Sequence, residues 1–322
     1  MTAKVIAFGE ALIDFLAQET GADCVPTFAQ YPGGAPANVA VAVAKLGGDS
    51  HFVGQVGDDT FGHFLKKSLS DYGVNTQALL MTAEAKTALA FVSLDETGER
   101  SFEFYRNPSA DILFRPEDFL AQWFYAAQGV FHTCSNTLTD DNISAATSVG
   151  MRLAKLAGWV ISCDINLRTN LWPQEEVNVA RVIEWMQQAD VVKASLEELA
   201  LLADDPMALI QTSLQQGVSL FVLTDGAQAV RYFHKNGTTG EVLTPTVVVK
   251  DTTAAGDAFV GGLLYKIAEV VEETSIMALT PDELSQIIRF AVACGACAVT
   301  QLGAYPSLPV QQEALAMLAQ VN

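Results

Sequence analysis

Short runs of β-branched and aromatic residues alternate along the chain with longer segments whose apolar positions recur at helical spacing. The runs predicted as strands are residues 5–8, 51–56, 129–131, 160–164, 190–193 and 220–224, and helical segments follow them, among them residues 37–46 and 61–72. Strands alternating with helices form right-handed βαβ units, and continuous apolar runs are typical of parallel strands covered on both faces. The pattern predicts an α/β fold with a mostly parallel central sheet.

One region departs from this alternation. Residues 87–94 and 101–106 are strand-like and flank the polar turn DETGE at 95–99, which indicates an antiparallel hairpin. Residues 14–30 are able to add strands to the same small sheet. We therefore expect a single α/β domain over residues 1–322, with a small β-sheet lid formed by about residues 14–30 and 86–112. An exposed sheet edge can pair with its copy, which allows a homodimer through the lid.

The charge balance restricts the partners. The chain has 322 residues, half of them hydrophobic, and a formal net charge of −19. A surface this acidic repels phosphate backbones and anionic lipid, which argues against binding to nucleic acid or to a membrane surface. No stretch reaches the roughly 18 apolar residues of a membrane span, and the N-terminal apolar run is too short for a signal peptide. An ATP site in such a protein needs its own local cations.

The cysteines indicate a reducing environment. They are odd in number and scattered through apolar stretches, at Cys24, Cys134, Cys163, Cys294 and Cys297. This distribution is typical of free buried thiols, so we expect a cytoplasmic protein. The CxxC formed by Cys294 and Cys297 has no second pair and no nearby histidine, so we interpret both as small core residues of a helix rather than metal ligands.

The strongest chemical signal is the sequence DTTAAGDAF at residues 251–259. It follows a strand-like run at 244–249 and opens a helical pattern. Small residues let the backbone approach a ligand, and helix N-terminal amides suit a phosphate charge. Asp257 would stand where a carboxylate can take a proton from a hydroxyl. On spacing alone, however, a simple turn with a helix cap explains Gly256 and Asp257 slightly better.

A second signal precedes the first helix, in the sequence GGAPAN at residues 33–38. The glycine pair gives an open backbone, and Asn38 offers a donor and an acceptor for hydroxyl groups. Asp14 lies just beyond the first strand, at the sheet edge where open α/β folds bind ligands. A glycine pair before a helix is common, so this signal is weak by itself.

Local cations follow two later strands, in DINLR at 164–168 and KASLEE at 193–198. Arg168 and Lys193 are the positive groups that an acidic protein needs to hold a polyphosphate. Glu198 is able to hold water around Mg²⁺. Considered separately, each of these charges is explained equally well as a solvated loop residue.

Taken together, these loops resemble the ribokinase-like carbohydrate kinases of the PfkB family. The match is in order and spacing and adds VGQVGDDTFG at 53–62 and GAYPS at 303–307, so it covers nearly the whole chain. Within the family the chain is most similar to fructokinases, through FYRNPSAD at 104–111, NLR at 166–168 with LWP at 171–173, and KAS at 193–195. The resemblance implies a ribokinase-like three-layer sandwich and ATP-dependent phosphorylation of a primary hydroxyl of a small neutral sugar, with fructose favoured.

The resemblance also implies a role for each matching position. The catalytic base is Asp257, and the anion hole is formed by the amides of Ala254, Ala255 and Gly256. Sugar contacts are implied for Asp14, Gly33, Gly34, Asn38, Phe104 and Arg106. The surroundings of ATP and Mg²⁺ are implied for Asn166, Arg168, Lys193, Ser195 and Glu198, with Thr224 and Gly226 in the nucleotide loop. A monovalent-cation site, usually K⁺ in the family, is implied for Asp251, Thr253, Ala298, Gln301, Gly303 and Ser307.

The chain departs from the family pattern at four positions. Ala254 replaces the first anion-hole glycine, Ala229 a glycine of the nucleotide loop, Val292 an asparagine near the adenine, and Ser195 the usual asparagine of an NxxE motif. If residue 254 needs a positive φ, its Cβ carries a steric penalty.

Other functions stay open at this point. A 2-keto-3-deoxygluconate kinase would use Arg106 or Arg168 to hold the carboxylate. A ribokinase, a nucleoside kinase and a sugar-binding protein that has lost catalysis are further alternatives. The intact Asp251 and Asp257 argue against lost catalysis. A sugar phosphate would call for several cations near Asn38, and the sequence has none there.

Overall fold

The computed structural model describes residues 3–18, 25, 27–94, 100–106, 108–125 and 128–321. The strands are β1 Lys4–Phe8, β2 Leu12–Gln18, β3 Thr27–Gly33, β4 Ser50–Gly57, β5 Leu79–Thr82, β6 Leu89–Leu94, β7 Arg100–Tyr105, β8 Gly129–Cys134, β9 Val160–Asp164, β10 Val191–Ser195, β11 Leu220–Thr224, β12 Val230–His234 and β13 Thr239–Val242. The α-helices are α1 Ala35–Lys45, α2 Thr60–Asp71, α3 Asp141–Leu156, α4 Val179–Met186, α5 Leu196–Leu202, α6 Pro206–Gln216, α7 Ala255–Val270, α8 Pro281–Ala298 and α9 Gln311–Leu318. Cys24, the turn at 95–99, Asn107 and part of segment 14–30 lie outside the described residues.

The large sheet has the strand order β13-β12-β11-β10-β9-β8-β1-β4-β5 within the described residues. The strands from β11 to β5 are parallel, and β12 and β13 add an antiparallel edge. Both faces are covered: Val191 packs in a core with α1, α7 and α8, whereas the next residue, Val192, packs in a second core with α3 to α6. The predicted three-layer fold with a mostly parallel sheet is confirmed.

A smaller sheet has the order β3-β2-β6-β7. Strands β6 and β7 form the predicted antiparallel pair, and β2 joins β6 in parallel. The small sheet is anchored to the main body through α2, where the rings of Phe15 and Phe61 lie 5.7 Å apart, centroid to centroid. Because β2 also carries Asp14, this anchor helps to set the position of that carboxylate.

The strand order determines where a ligand can bind. Strand β1 pairs with β8 on one side and with β4 on the other, so the order of the parallel strands reverses at β1. In open α/β sheets the helices leave a crevice beyond the carboxyl ends of the strands at such a point. The loops that follow β1, β8, β9, β10 and β11 therefore share one edge of the sheet.

The strand predicted at residues 244–249 is wrong. This segment forms no strand in the described structure, and the sheet ends with β13 at Val242. Pro245 lacks the N–H group that a ladder needs, and Val248 and Val249 are exposed. β-Branched residues favour extended backbone, but a strand also needs a neighbour. The helix predicted after the motif is confirmed, since α7 begins at Ala255.

The described cysteines are free and buried, as the sequence predicts. Cys294 packs in α8 against Tyr265 and Phe290, so the interpretation of the CxxC as part of a helix core is confirmed for its first member. Cys297 is buried in the same helix. Among the described residues, no helix is long and apolar enough to cross a membrane.

Helices α1 and α7 pack unusually closely, because both present small residues at their contact. A Cβ atom added to Gly261 would lie 2.3 Å from the Cβ of Ala42, far inside van der Waals distance. The two backbones can therefore approach only while residue 261 is glycine. This contact sets the separation of the helix ends that carry Asn38 and Asp257.

We expect Gly261→Ala to lower the free energy of unfolding by about 1–3 kcal/mol, because the added methyl group overpacks this contact. The direction is diagnostic, since glycine to alanine in a helix otherwise stabilises by roughly 0.5–1 kcal/mol. Urea unfolding of the single variants and of Gly261→Ala with Ala42→Gly provides the test. The second change should recover part of the loss, and strictly additive losses would contradict a direct contact.

Candidate active site

The amino-terminal ends of α1 and α7 meet at one hydrogen bond. Asn38 Nδ2 donates to Asp257 Oδ2 over 2.7 Å. The backbone N–H of Asn38 belongs to the first turn of α1 and donates to the Gly34 carbonyl. Gly34 caps α1 with a φ of 102°, and a Cβ there would lie 2.5 Å from the Glu10 carbonyl oxygen. Glycine is therefore required at this close approach.

Asp257 lies in the first turn of α7, in a partly enclosed environment. Burial raises the pKa of its carboxyl above the ordinary value, while the Asn38 hydrogen bond and the charges of Lys193 and Arg168 oppose the rise. The sequence separates these four residues widely, but the fold brings them together. A carboxylate with a raised pKa is a stronger base than an exposed one, which suits proton abstraction.

Lys193 supplies a buried positive charge beside the amino end of α7. Its Nζ lies 3.0 Å from Asp164 Oδ1, and a Cβ added to Gly256 would lie 3.5 Å from that Nζ. Burial alone would lower the pKa of Lys193, but Asp164, Glu198 and Asp257 together raise it, so the ammonium stays charged. The helix end and this cation form one electropositive position.

Glu198 connects two of the predicted loops. Its carboxylate accepts the Ser195 amide at 2.7 Å and the Leu167 amide at 3.1 Å, while the Ser195 hydroxyl accepts the Glu198 amide at 3.1 Å. This is a capping box at the start of α5, which the spacing SxxE signals in the sequence. The serine in place of asparagine thus keeps a helix cap, and Glu198 holds the loop after β9 against the loop after β10.

The loop between them presents Asn166 and Arg168. Asn166 is buried with a φ of 35°, a conformation that asparagine tolerates better than most residues. Arg168 is exposed, and its charge acts on Asp257. The fold therefore directs this cation toward the solvent side of the site.

Asp14 and the glycine pair, which the resemblance assigns to the sugar, lie together. Strands β2 and β3 pair Leu12 with Gly33, and a Cβ added to Gly33 would lie 2.0 Å from Asp14 Oδ2. The glycine therefore makes room for the carboxylate. A side chain at residue 33 would displace it.

The two lid residues have different surroundings. Phe104 packs against a small apolar cluster of Leu12, Ala88 and Ala90. Arg106 is buried and held by Asp111, with its Nε 2.6 Å from the Asp111 Oδ2 atom. Its charge is thus engaged within the protein, apart from the group around Asp257.

Asp251 organises the loop before α7. Its Oδ1 accepts the Thr253 amide at 2.7 Å, and its Oδ2 accepts the Gly303 amide at 2.9 Å. The Gln301 amide bonds to the Ala298 carbonyl, and the Ser307 hydroxyl donates to the Ala304 carbonyl. The six residues predicted for a monovalent cation therefore lie in two segments that Asp251 joins, the loop before α7 and the stretch from the end of α8 to Ser307.

The predicted nucleotide loop follows β11. Thr224 Oγ1 donates to the Ala194 carbonyl over 3.3 Å, which ties this loop to β10. Gly226 has a φ of 53°, so the turn uses the freedom of glycine. The loop thus lies on the same sheet edge as Lys193.

Known proteins are similar to this chain over nearly its whole length. The model of the family described as "pfkB family carbohydrate kinase" matches residues 2–311. The chain belongs to this family. A probable fructokinase-3 of Arabidopsis thaliana is 42% identical over 98% of this chain and 91% of its own length. A crystal structure of a Xylella fastidiosa fructokinase with bound ATP has a TM-score of 0.92 and 45% identity, covering 99% of each chain. A Vibrio cholerae fructokinase double mutant bound to fructose, ADP and potassium ion has a TM-score of 0.87 and 34% identity, covering 98% of each chain.

In this carbohydrate kinase, the departure at residue 254 has a structural consequence. Ala254 caps α7 with a φ of 58° and a ψ of 13°, which is the left-handed conformation. Its carbonyl accepts the Ala258 amide at 2.8 Å, and the Ala255 amide donates to the Thr252 carbonyl over a long 3.3 Å. Residue 254 therefore has the positive φ for which the sequence predicts a steric penalty. The Cβ of Ala254 makes this conformation unfavourable by roughly 1–2 kcal/mol.

The other two departures carry no such strain. Ala229 is not among the residues with a positive φ in the described parts of the chain, so its Cβ costs nothing in the backbone. Val292 is buried in α8 and packs in the core shared with α7. A residue that fills the core at 292 stabilises the helix pair but offers no hydrogen bond.

Sequence reasoning did not single out Glu10, Asp111 or Asp164 as functional residues. Asp164 is the partner of Lys193, and its position inside DxNxR is the signal that identifies it. Glu10 lies two residues beyond the end of β1. A lone carboxylate directly after a buried strand is itself a signal of a site at the sheet edge.

We expect Ala254→Gly to raise kcat with little change in KM for the sugar. Relief of the left-handed strain lets the amides at the start of α7 align with the developing charge, and one well-aimed donor contributes about 2.7–4 kcal/mol to transition-state stabilisation. Steady-state kinetics of the variant measure this. Ala229→Gly is the matched control, since its φ is not positive and it should give no gain. A kcat for Ala254→Gly at or below wild type would reject the strained-hole hypothesis.

Proposed function

We propose that this pfkB-family kinase transfers the γ-phosphoryl group of ATP to a primary hydroxyl of fructose, with Asp257 as the general base. The observation that carries the proposal is the bond between Asn38 and Asp257, made at the start of α7 and beside Lys193. The carboxylate that can accept a proton, the side-chain amide that can bind a sugar hydroxyl, and the helix end that can bind an anion thus lie together. The fructokinase relatives support the choice of sugar.

The proposed mechanism divides the work among these groups. Asp257 takes the proton of the attacking hydroxyl, while Asn38 orients its carboxylate through the 2.7 Å bond. The amides of Ala254, Ala255 and Gly256, with Lys193 beside them, stabilise the charge that develops on the phosphoryl oxygens. Phosphoryl transfer needs little covalent chemistry from the protein, so positioning and charge account for most of the catalysis.

The site fits a sugar and a nucleotide. Asn38 Oδ1 is a buried oxygen without a hydrogen-bond partner in the described structure, and a sugar hydroxyl would satisfy it. Asp14, Gly33, Gly34, Phe104 and Arg106 are the further residues proposed around the sugar. Thr224, Gly226, Asn166 and Arg168 are proposed around ATP. Mg²⁺, held through water near Glu198, would neutralise phosphate charge.

The loops joined by Asp251 fit a monovalent cation. Asp251 is buried and holds the two loops together by accepting the Gly303 amide, and the residues proposed here would supply carboxylate, hydroxyl and carbonyl oxygens of the kind that suits K⁺. The proposed ligands are Asp251 and Thr253 with Ala298, Gln301, Gly303 and Ser307. The cation would shape the loop that contains Ala254 without touching the sugar.

The small sheet is proposed as a lid. It carries Asp14 and Phe104 and is anchored to α2, so closing it would exclude water from the sugar. We propose one kinase domain over residues 1–322, with the lid at about 14–30 and 86–112. A homodimer through the lid and a cytoplasmic location stay predictions.

Fructose should be phosphorylated with a higher kcat/KM than ribose, adenosine or 2-keto-3-deoxygluconate, because the cations nearest Asp257 serve the phosphate side. A coupled ADP-release assay with these sugars is the test.

Asp257→Asn keeps the size of the side chain and removes the base, so turnover should fall by about 10²–10⁴-fold while sugar binding persists. A variant with more than half of the wild-type turnover would exclude Asp257 as the base, and a higher kcat/KM for any other sugar would exclude fructose as the preferred substrate.

Replacing K⁺ by Na⁺ or Li⁺ at constant ionic strength should lower kcat, because the smaller ions fit the carbonyl donor set less well. The same comparison with Asp251→Asn is the matched control. That variant weakens the site and should reduce the difference between the salts. Equal rates of the wild type in all three salts would remove the cation from the mechanism.

A further inference from the structure

A second buried group of charges lies beyond the carboxyl ends of β1, β7 and β8. Arg106 Nε donates to Asp111 Oδ2 at 2.6 Å, and its Nη1 donates to the Asn136 carbonyl at 3.0 Å. Asn136 Nδ2 in turn donates to Glu10 Oε1 at 2.9 Å. Glu10, Arg106 and Asp111 are 2%, 6% and 2% exposed. We call these four residues the Arg106 cluster.

The Arg106 cluster borders the proposed sugar site on two sides. On one side, the Glu10 carbonyl lies against Gly34, one turn before Asn38. On the other, the small sheet pairs Asp14 with Ala90, and Ala90 with Phe104. Arg106 follows two residues beyond that row. Arg106 thus belongs to the side of the crevice proposed for the sugar, whereas the charges of Lys193 and Arg168 act on Asp257.

The Arg106 cluster carries no net positive charge. Asp111 offsets the guanidinium charge directly, and Ser109 Oγ donates to Asp111 Oδ1, which holds that carboxylate in place. Burial raises the pKa of Glu10, although the charge of Arg106 opposes the rise. With Glu10 protonated the cluster is neutral, and with Glu10 ionised its charge is −1. In neither state does it attract an anion.

We infer that Asp111, assisted by Glu10, makes this kinase select neutral sugars by occupying the Arg106 guanidinium, which would otherwise be able to hold a sugar carboxylate. The inference rests on the proposed function, because it concerns the sugar side of the same site. An arginine presents a planar fork suited to a carboxylate, and an internal aspartate that takes this fork excludes a competing ligand. Asp111 would thus remove the attraction between Arg106 and a sugar carboxylate, and its own negative charge would repel that carboxylate.

The matched substrates are fructose and 2-ketogluconate, which is fructose with its C1 hydroxymethyl group oxidised to a carboxylate. The inhibition constant of 2-ketogluconate against the preferred sugar, and the thermal shift that it produces, measure binding without requiring turnover. Asp111→Asn should tighten 2-ketogluconate binding by about 10- to 100-fold relative to fructose, which is the contribution of one hydrogen bond to a charged partner. Glu10→Gln should change the ratio in the same direction by less.

Two further variants serve as controls. Glu84→Gln frees Arg115 from an exposed pair at 3.5 Å and should leave the ratio at its wild-type value. Combining Arg106→Gln with Asp111→Asn removes the cation and should cancel the gain seen with Asp111→Asn. If Asp111→Asn does not fold, as judged by its thermal unfolding, Glu10→Gln decides alone.

A folded Asp111→Asn or Glu10→Gln variant whose relative binding of 2-ketogluconate stays within twofold of wild type would overturn the inference. So would a gain that persists in the variant lacking Arg106. If the proposed function is wrong, the wild-type enzyme will phosphorylate another sugar in preference to fructose, and this outcome is distinct from a failure of the inference about Asp111. The binding ratio of the two matched ligands is measured independently of that result.

Discussion

The contact between the amino-terminal ends of α1 and α7 is the constraint on which the rest of the site depends. Asn38 reaches Asp257 over 2.7 Å only because Gly261 and Ala42 let the two helices pack against each other with almost no side-chain volume between them. The same geometry aims the amides and positive dipole end of α7 at the position where Asp257 is held. The close packing of α1 against α7 thus positions the proposed base Asp257, the Asn38 side chain that orients it, and the backbone amides that would bind an anion.

Two cations of this acidic chain, Lys193 and Arg106, are buried beside carboxylates. Lys193 is surrounded by Asp164, Glu198 and Asp257, which keep it charged despite its burial. Arg106 is balanced by Asp111 in the same way. A buried ion pair contributes little net stability once desolvation is counted, but it fixes where charge is placed. The two pairs therefore matter mainly for the electrostatic character of each side of the crevice.

The loop before α7 shows how tertiary contacts maintain a strained residue. Ala254 is held at a φ of 58° between Asp251, which binds the Thr253 and Gly303 amides, and the first turn of the helix. Strain of this kind persists only where the surroundings over-determine the backbone. The bonds of Asp251 thus link the proposed cation site to the anion hole.

The sequence by itself determined the fold class, most strands and helices, and the groups of residues that meet at the sheet edge. It did so because hydrophobic periodicity reports local structure, and because carboxyl ends of parallel strands share one edge. It was wrong about residues 244–249, since β-branched composition favours extended backbone but does not supply a neighbouring strand. Only the tertiary structure decided that Ala254 has a positive φ, that Glu198 also accepts the Leu167 amide, and that Arg106 donates to the Asn136 carbonyl. These outcomes depend on contacts between residues distant in sequence or on backbone angles, and neither is encoded in the local pattern of residue types.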